Sequence, residues 1–160
     1  MKMTSLCYIE KGGAYLMMNR NKKINDPNRD KWIGIGGKFE DGESPEDCVL
    51  REIYEETGLI PQRLSYRGIV TFVSDVYETE YMHLFLAGDC TGILRENCDE
   101  GELRYVEKNE ITSLSLWEGD RIFLGLLDTE PRFFSLKLIY DKEGRLLSHA
   151  LDISSSSLPS

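Results

Sequence analysis

Residues 36–59 read GGKFEDGESPEDCVLREIYEETGL, with Glu40, Asp41, Glu43, Glu46, Asp47, Glu52, Glu55 and Glu56 crowded into one short span. The pattern predicts a glycine turn followed by a helix over Ser44–Glu56. Ser44 suits the N-cap, Pro45 the first helical position, and Glu46 and Asp47 the positive end of the helix dipole. Gly58 is the expected stop. At about 100° per residue, Glu52, Glu55 and Glu56 fall on one face, at the i, i+3, i+4 spacing. Val49, Leu50 and Ile53 fall broadly on the other side and are expected to pack on a sheet, with Arg51 at the edge of the acidic face. Clustered carboxylates oppose one another's ionisation unless a cation holds them. Oxygen ligands of this kind suit Mg2+ or Mn2+ rather than zinc. Taken alone, an acidic helix also reads as a solvated face. Two neighbours favour the cation: the Gly36–Gly37 turn lets a phosphate or metal approach the backbone, and Glu43 and Arg51 add charges that can orient the cluster.

Outward from this stretch the chain reads mostly as strands. MTSLCYIE and AYLMMNR form a hairpin about Gly12–Gly13. WIGIGGKF is a short strand breaking into the glycine turn, RLSYRGIVTFVSD and ETEYMHLFLAGDC a long strand pair, and LRYVEK a further strand. GDRIFLGLLD has the apolar spacing of an amphipathic helix. FFSLKLIYD and LLSHALDI make a last hairpin about Gly144. Strands with two inserted helices predict an α/β fold, a mixed β-sheet sandwiched between α-helices. Residues 1–153 are expected to form one domain, and 154–160, within the serine-rich tail, a disordered end.

The net charge of −9 disfavours a nucleic-acid polymer or an anionic membrane as partner, while permitting a small anionic substrate that comes with metal ions. No apolar run is long enough to span a bilayer, and the start lacks a signal-peptide pattern. Cys7, Cys48, Cys90 and Cys98 are scattered, without zinc-ligand spacing. Reduced thiols and a cytoplasmic location are the expectation. Cys48 reads as a small filler beside the glutamates, and His83 and His149 as structural or surface residues.

Gly37, Glu43, Arg51, Glu52, Ile53, Glu55, Glu56, Gly58 and Leu59 match every defined position of the Nudix box, and on them the chain resembles the Nudix hydrolases. The resemblance implies a mixed sheet between helices and Mg2+- or Mn2+-dependent hydrolysis of a nucleoside diphosphate linked to another moiety. It also implies that Glu52, Glu55 and Glu56 hold metal, that Gly37 lends its carbonyl, and that Arg51 and Glu43 orient the glutamates. Glu52 is the expected base, with Glu56 and Arg51 beside it in the catalytic set. Glu100, in CDEGELRYV, is the candidate for a further metal-binding glutamate outside the box; otherwise it is one more acid in an acidic turn.

WIGIGGK and LWEGD resemble segments of the MutT-type 8-oxo-dGTP diphosphatases, a looser likeness that runs over nearly the whole chain. By that resemblance Trp117 stacks on a purine and Asp120 binds its edge; the alternative for Trp117 is an ordinary core tryptophan. Gly36, Lys38 and Lys23 complete the expected substrate-binding set, although Lys23 also reads as a solvated surface lysine. Ile33 and Gly119 depart from the mammalian members, which have an asparagine and a second aspartate there, so looser base discrimination is expected. The expected activity is conversion of 8-oxo-dGTP or a related purine dNTP to the monophosphate and pyrophosphate, in nucleotide-pool sanitisation. The alternatives are ADP-ribose or another nucleoside diphosphate derivative as substrate, or a non-catalytic nucleotide sensor. The apolar strand pair leaves room for a homodimer.

Overall fold

In strand β1 (Lys2–Lys11) every residue from Thr4 to Ile9 is buried, which requires cover on both faces of the sheet. The computed structural model describes residues 1–23, 25–96 and 98–154 and supplies that cover. Strand alternation sends Leu6 and Tyr8 to one face and Cys7 and Ile9 to the other, and each set joins its own apolar core.

The remaining elements are β2 (Ala14–Asn19), β3 (Trp32–Ile33), β4 (Ile35–Lys38), α1 (Pro45–Thr57), β5 (Leu59–Ser74), β6 (Glu80–Gly92), β7 (Glu102–Glu107), a 3-10 turn at Lys108–Ser113, α2 (Glu118–Thr129), β8 (Phe134–Tyr140) and β9 (Leu146–Ile153). The strands run β3-β2-β1-β6-β5-β8-β9, with β4 on β1 and β7 on β2. Pairs β1–β6 and β5–β8 are parallel and the others antiparallel, so the sheet is mixed. Helix α1 places Val49 and Ile53 in one core, and α2 places Phe123, Leu124 and Leu127 in the other. The expected sheet between helices is what the chain forms. The residues 155–160 of the expected disordered tail lie outside the described residues. No described helix is long and apolar enough to cross a membrane.

The caps of α1 follow the sequence reading. Ser44 accepts from the Asp47 N–H at 3.0 Å, Asp47 accepts from the Ser44 N–H at 3.1 Å, and Gly58 ends the helix at φ 79°. The expected packing of Leu50 is corrected: it is exposed, and Glu56 is buried instead. Val49 and Ile53 set the rotation of the helix, and Glu56, three residues beyond Ile53, lies on the same inward stripe.

Between Tyr66 and Gly68 the β5–β6 register shifts. The extra residue is Arg67, whose guanidinium reaches the last carbonyls of α2: Leu127 at 3.2 Å, Leu126 at 3.5 Å, and Glu130. A bulge thus aims a cation at a helix C-terminus and fixes α2 on its face of the sheet.

Candidate active site

Arg51 organises the acidic end of the site. Its guanidinium meets Glu43 as a fork, with Nε 2.7 Å from one carboxylate oxygen and Nη2 2.9 Å from the other. Nη1 donates to Glu52 at 2.8 Å and to Glu55 at 3.2 Å, and Nη2 to the Lys38 carbonyl at 3.1 Å. Helix α1 supplies Arg51, Glu52 and Glu55; the glycine turn and the loop behind it supply Lys38 and Glu43. The Arg51 hydrogen bonds, helped by the Glu40 N–H, hold the Glu43 carboxyl down at about 2. Glu43 is therefore a fixed anion at neutral pH, and Arg51 is pinned by it.

Glu52 lies against Gly37. A methyl group at Gly37 would stand 2.7 Å from both the Glu52 carboxyl carbon and one of its oxygens. Only glycine lets β4 and this carboxylate approach so closely. The Gly37 carbonyl accepts a weak S–H bond from Cys48 at 3.5 Å. Cys48 is buried, and burial raises its thiol, which keeps it protonated and inert.

Glu56 is 7% exposed, and its Oε2 has no hydrogen-bond partner among the described residues. Burial, then the neighbouring Glu100 and Glu52, push its carboxyl up to about 10. Glu100 comes from the loop before β7, so a residue far away in sequence joins the cluster. Among the described residues no three acidic, histidine or cysteine side chains stand at ligand spacing. Arg51 draws Glu52 and Glu55 to itself. The donor chemistry nevertheless fits a hard divalent cation: oxygen atoms throughout, a buried carboxyl oxygen without a partner, and a glycine cradle closed by a carboxylate. Glu52, Glu56, Glu100 and the Gly37 carbonyl could hold it, with Glu55 at the outer rim, 57% exposed.

A cleft of about 890 Å3 opens from this cluster. Gly36, Gly37, Lys38, Glu52 and Glu100 line it, as do Trp117 and Asp120. Lys23 does not; it stands 3.9 Å from Glu100 with its side chain 59% exposed. Arg20, which sequence reasoning passed over, does line the cleft. Asp26 holds Arg20 at 2.6 Å and also accepts the Asn28 N–H at 2.9 Å.

That loop also fixes Trp117. The indole N–H donates to the Asn28 side chain at 2.8 Å, the Lys31 ammonium lies 5.3 Å from the ring centroid, and Tyr140 meets the ring edge-on at 5.5 Å. Trp117 caps the start of α2, and Asp120 sits in the first turn, 3% exposed. Burial, with Glu80 nearby, pushes the Asp120 carboxyl up to about 8, so it carries a proton at neutral pH and can both donate and accept. Gly119 explains one departure noted in the sequence. A methyl group there would lie 2.5 Å from Leu138 and 2.6 Å from the Tyr140 hydroxyl, so no second carboxylate fits. Ile33 lines the cleft as an apolar wall. Asn28, Phe72 and Tyr140, all cleft residues, had no sequence signal, since no motif joins segments so far apart. His83 is buried, paired with the Tyr66 hydroxyl, and His149 is exposed on β9.

The profile of the NUDIX domain matches residues 3–127. The chain is 33% identical over 133 residues to the Uncharacterized Nudix hydrolase YvcI of Bacillus subtilis, covering 81% of this chain and 84% of that protein. It is 31% identical over 124 residues to the Oxidized purine nucleoside triphosphate hydrolase of Danio rerio, covering 76% and 78%. Its fold is similar to that of the MutT protein from Bacillus halodurans, with a TM-score of 0.84 and 26% identity over 95% of this chain and 98% of that one. With a matching domain, a MutT-like fold and an acidic helix behind a glycine turn, the chain belongs to the Nudix family and is a hydrolase of pyrophosphate bonds.

Proposed function

We propose that the protein is a purine nucleoside triphosphate pyrophosphohydrolase that prefers an oxidised guanine base. The observation that carries this reading is the cleft, which is lined both by Glu52, Glu100 and Gly37 and by Trp117 and Asp120. A triphosphate laid along it brings its phosphates to the acid cluster and its base to the aromatic part. The likeness to an oxidized purine nucleoside triphosphate hydrolase supports the same choice.

Glu52, Glu55, Glu56, Glu100 and the Gly37 carbonyl would hold Mg2+ or Mn2+. A bound divalent cation supplies charge neutralisation for the phosphates and a more acidic attacking water. Glu52 is the base: it lines the cleft and takes the proton of the water that attacks phosphorus. One P–O anhydride bond breaks, and pyrophosphate and the nucleoside monophosphate leave. Arg51 acts through Glu52 and Glu55 by fixing where their oxygens point. Arg20 and Lys38 line the cleft with positive charge facing the phosphates. Trp117 stacks on the base, and the buried Asp120 carboxyl exchanges hydrogen bonds with its edge.

The test is kcat/KM for 8-oxo-dGTP, dGTP and dATP in wild type, Trp117→Ala and Asp120→Asn. Loss of the tryptophan is expected to weaken binding of all three by about 1–3 kcal/mol. Asp120→Asn is expected to shrink the preference for 8-oxo-dGTP over dGTP more than it slows the best substrate. Equal wild-type activity on all three would remove the oxidised-base preference.

A further inference from the structure

Tyr140, at the end of β8, is 6% exposed yet lines the cleft. Its ring is held on two sides, edge-on to Trp117 at 5.5 Å and stacked on Phe72 at 6.1 Å. Its hydroxyl oxygen accepts the Gly119 N–H at 2.8 Å. That partner is a donor and can take nothing in return, so the phenolic proton has no acceptor among the described residues. A molecule bound in the cleft can bring that acceptor. The N–H bond to the oxygen also polarises the phenol and strengthens it as a donor.

The position of this donor is informative. Gly119 and Asp120 are consecutive, so the Tyr140 hydroxyl and the Asp120 carboxyl belong to one corner of the cleft. Together they offer a neutral donor beside a group that accepts. A lactam edge, with a carbonyl next to a ring N–H, is the complement of that pair. Neither group can be replaced from the Gly119 position, where Leu138 and Tyr140 leave no room for a side chain.

We infer that Tyr140 is a specificity-determining residue whose hydroxyl donates to an exocyclic carbonyl oxygen of the bound base, beside Asp120. This rests on the reading of the Trp117–Asp120 corner as the base site. It gives the site a polar reader in place of the second carboxylate that Gly119 excludes.

The experiment compares kcat/KM of wild type and Tyr140→Phe on 8-oxo-dGTP, dGTP, 8-oxo-dATP and dATP, of which only dATP lacks a base carbonyl. Thermal melts verify that the variant is folded. The phenylalanine keeps both ring contacts and removes only the hydroxyl. The expected result is a loss of about tenfold on the three carbonyl-bearing substrates, the size of one hydrogen bond, and a much smaller loss on dATP. An equal loss on all four would mean that the hydroxyl only supports Gly119, and would overturn the inference while leaving the base site in place. A wild type inert on all four but active on ADP-ribose would overturn the base-site reading and this role with it. Wild type alone gives a second check: dGTP is expected to exceed 2-aminopurine deoxyriboside triphosphate, which lacks the carbonyl, by about tenfold. Parity there would overturn the inference even if the variant did not fold.

Discussion

Glu56 combines burial, an oxygen without a partner, and two neighbouring carboxyls in Glu52 and Glu100. Such a residue is costly to bury, and in the proposed metal-holding role a bound cation would offset that cost. Glu56→Gln is therefore expected to raise the melting temperature of the metal-free protein, to abolish its stabilisation by Mg2+, and to cut kcat by orders of magnitude. Melts with EDTA and with Mg2+, beside turnover, read all three effects. Arg51 makes a two-pronged bond that lysine cannot reproduce. Arg51→Lys is expected to cost about 10–100-fold in activity or Mg2+ affinity with the fold kept, measured as turnover against Mg2+ concentration. Asp120 gives the pH dependence. Its folded value, about 8, lies above the ordinary 3.8, so between those limits the native state keeps a proton that the unfolded chain has released. Stability then falls as pH rises through that window. Asp120→Asn is expected to flatten this slope and to gain on the order of 1–3 kcal/mol at pH 8, read from denaturant unfolding at pH 5 and pH 8.

At the level of elements, α1 was largely legible because its signals are local. Ser44, Pro45, Asp47 and Gly58 are stop and start residues whose chemistry acts within a few positions. Its rotation was not legible. An acidic face and an apolar face were expected to oppose each other, but Val49 and Ile53 turn Glu56 inward and leave Leu50 in solvent. A buried carboxyl breaks the polar-outside pattern, and such breaks occur where function asks for them. The role of Arg67 was equally hidden, since a bulge depends on the register of two strands. Its guanidinium closes the C-terminus of α2, the helix that starts with Trp117 and Asp120. Arg67→Ala leaves those carbonyls without their donor. The expected cost is about 1–3 kcal/mol, checked by urea unfolding. Its effect on catalysis should fall on KM for the nucleotide more than on kcat, because α2 carries the base corner and not the acid cluster.

Across the whole molecule, two cores on opposite faces of one sheet hold α1 and α2 so that both reach one cleft. The acid cluster was readable because most of it lies within residues 37–56; Glu100 joined it only through the fold. The proposed base corner draws on Asn28, Phe72, Trp117, Asp120 and Tyr140, from four separate segments, and only the pair in LWEGD has a recognisable pattern. In the loop after β2, Arg20, held by Asp26, lines the cleft, whereas the expected substrate-binding Lys23 does not. The central claim is that this cleft holds a purine nucleoside triphosphate and breaks it to a monophosphate. The most direct measurement is product analysis of wild type with Mg2+ on 8-oxo-dGTP, with Glu52→Gln as control. The account predicts 8-oxo-dGMP and pyrophosphate in equal amounts, strict dependence on the cation, and a large loss of kcat in the control. Release of inorganic phosphate with a diphosphate product, or turnover of ADP-ribose with none of any purine triphosphate, would contradict it.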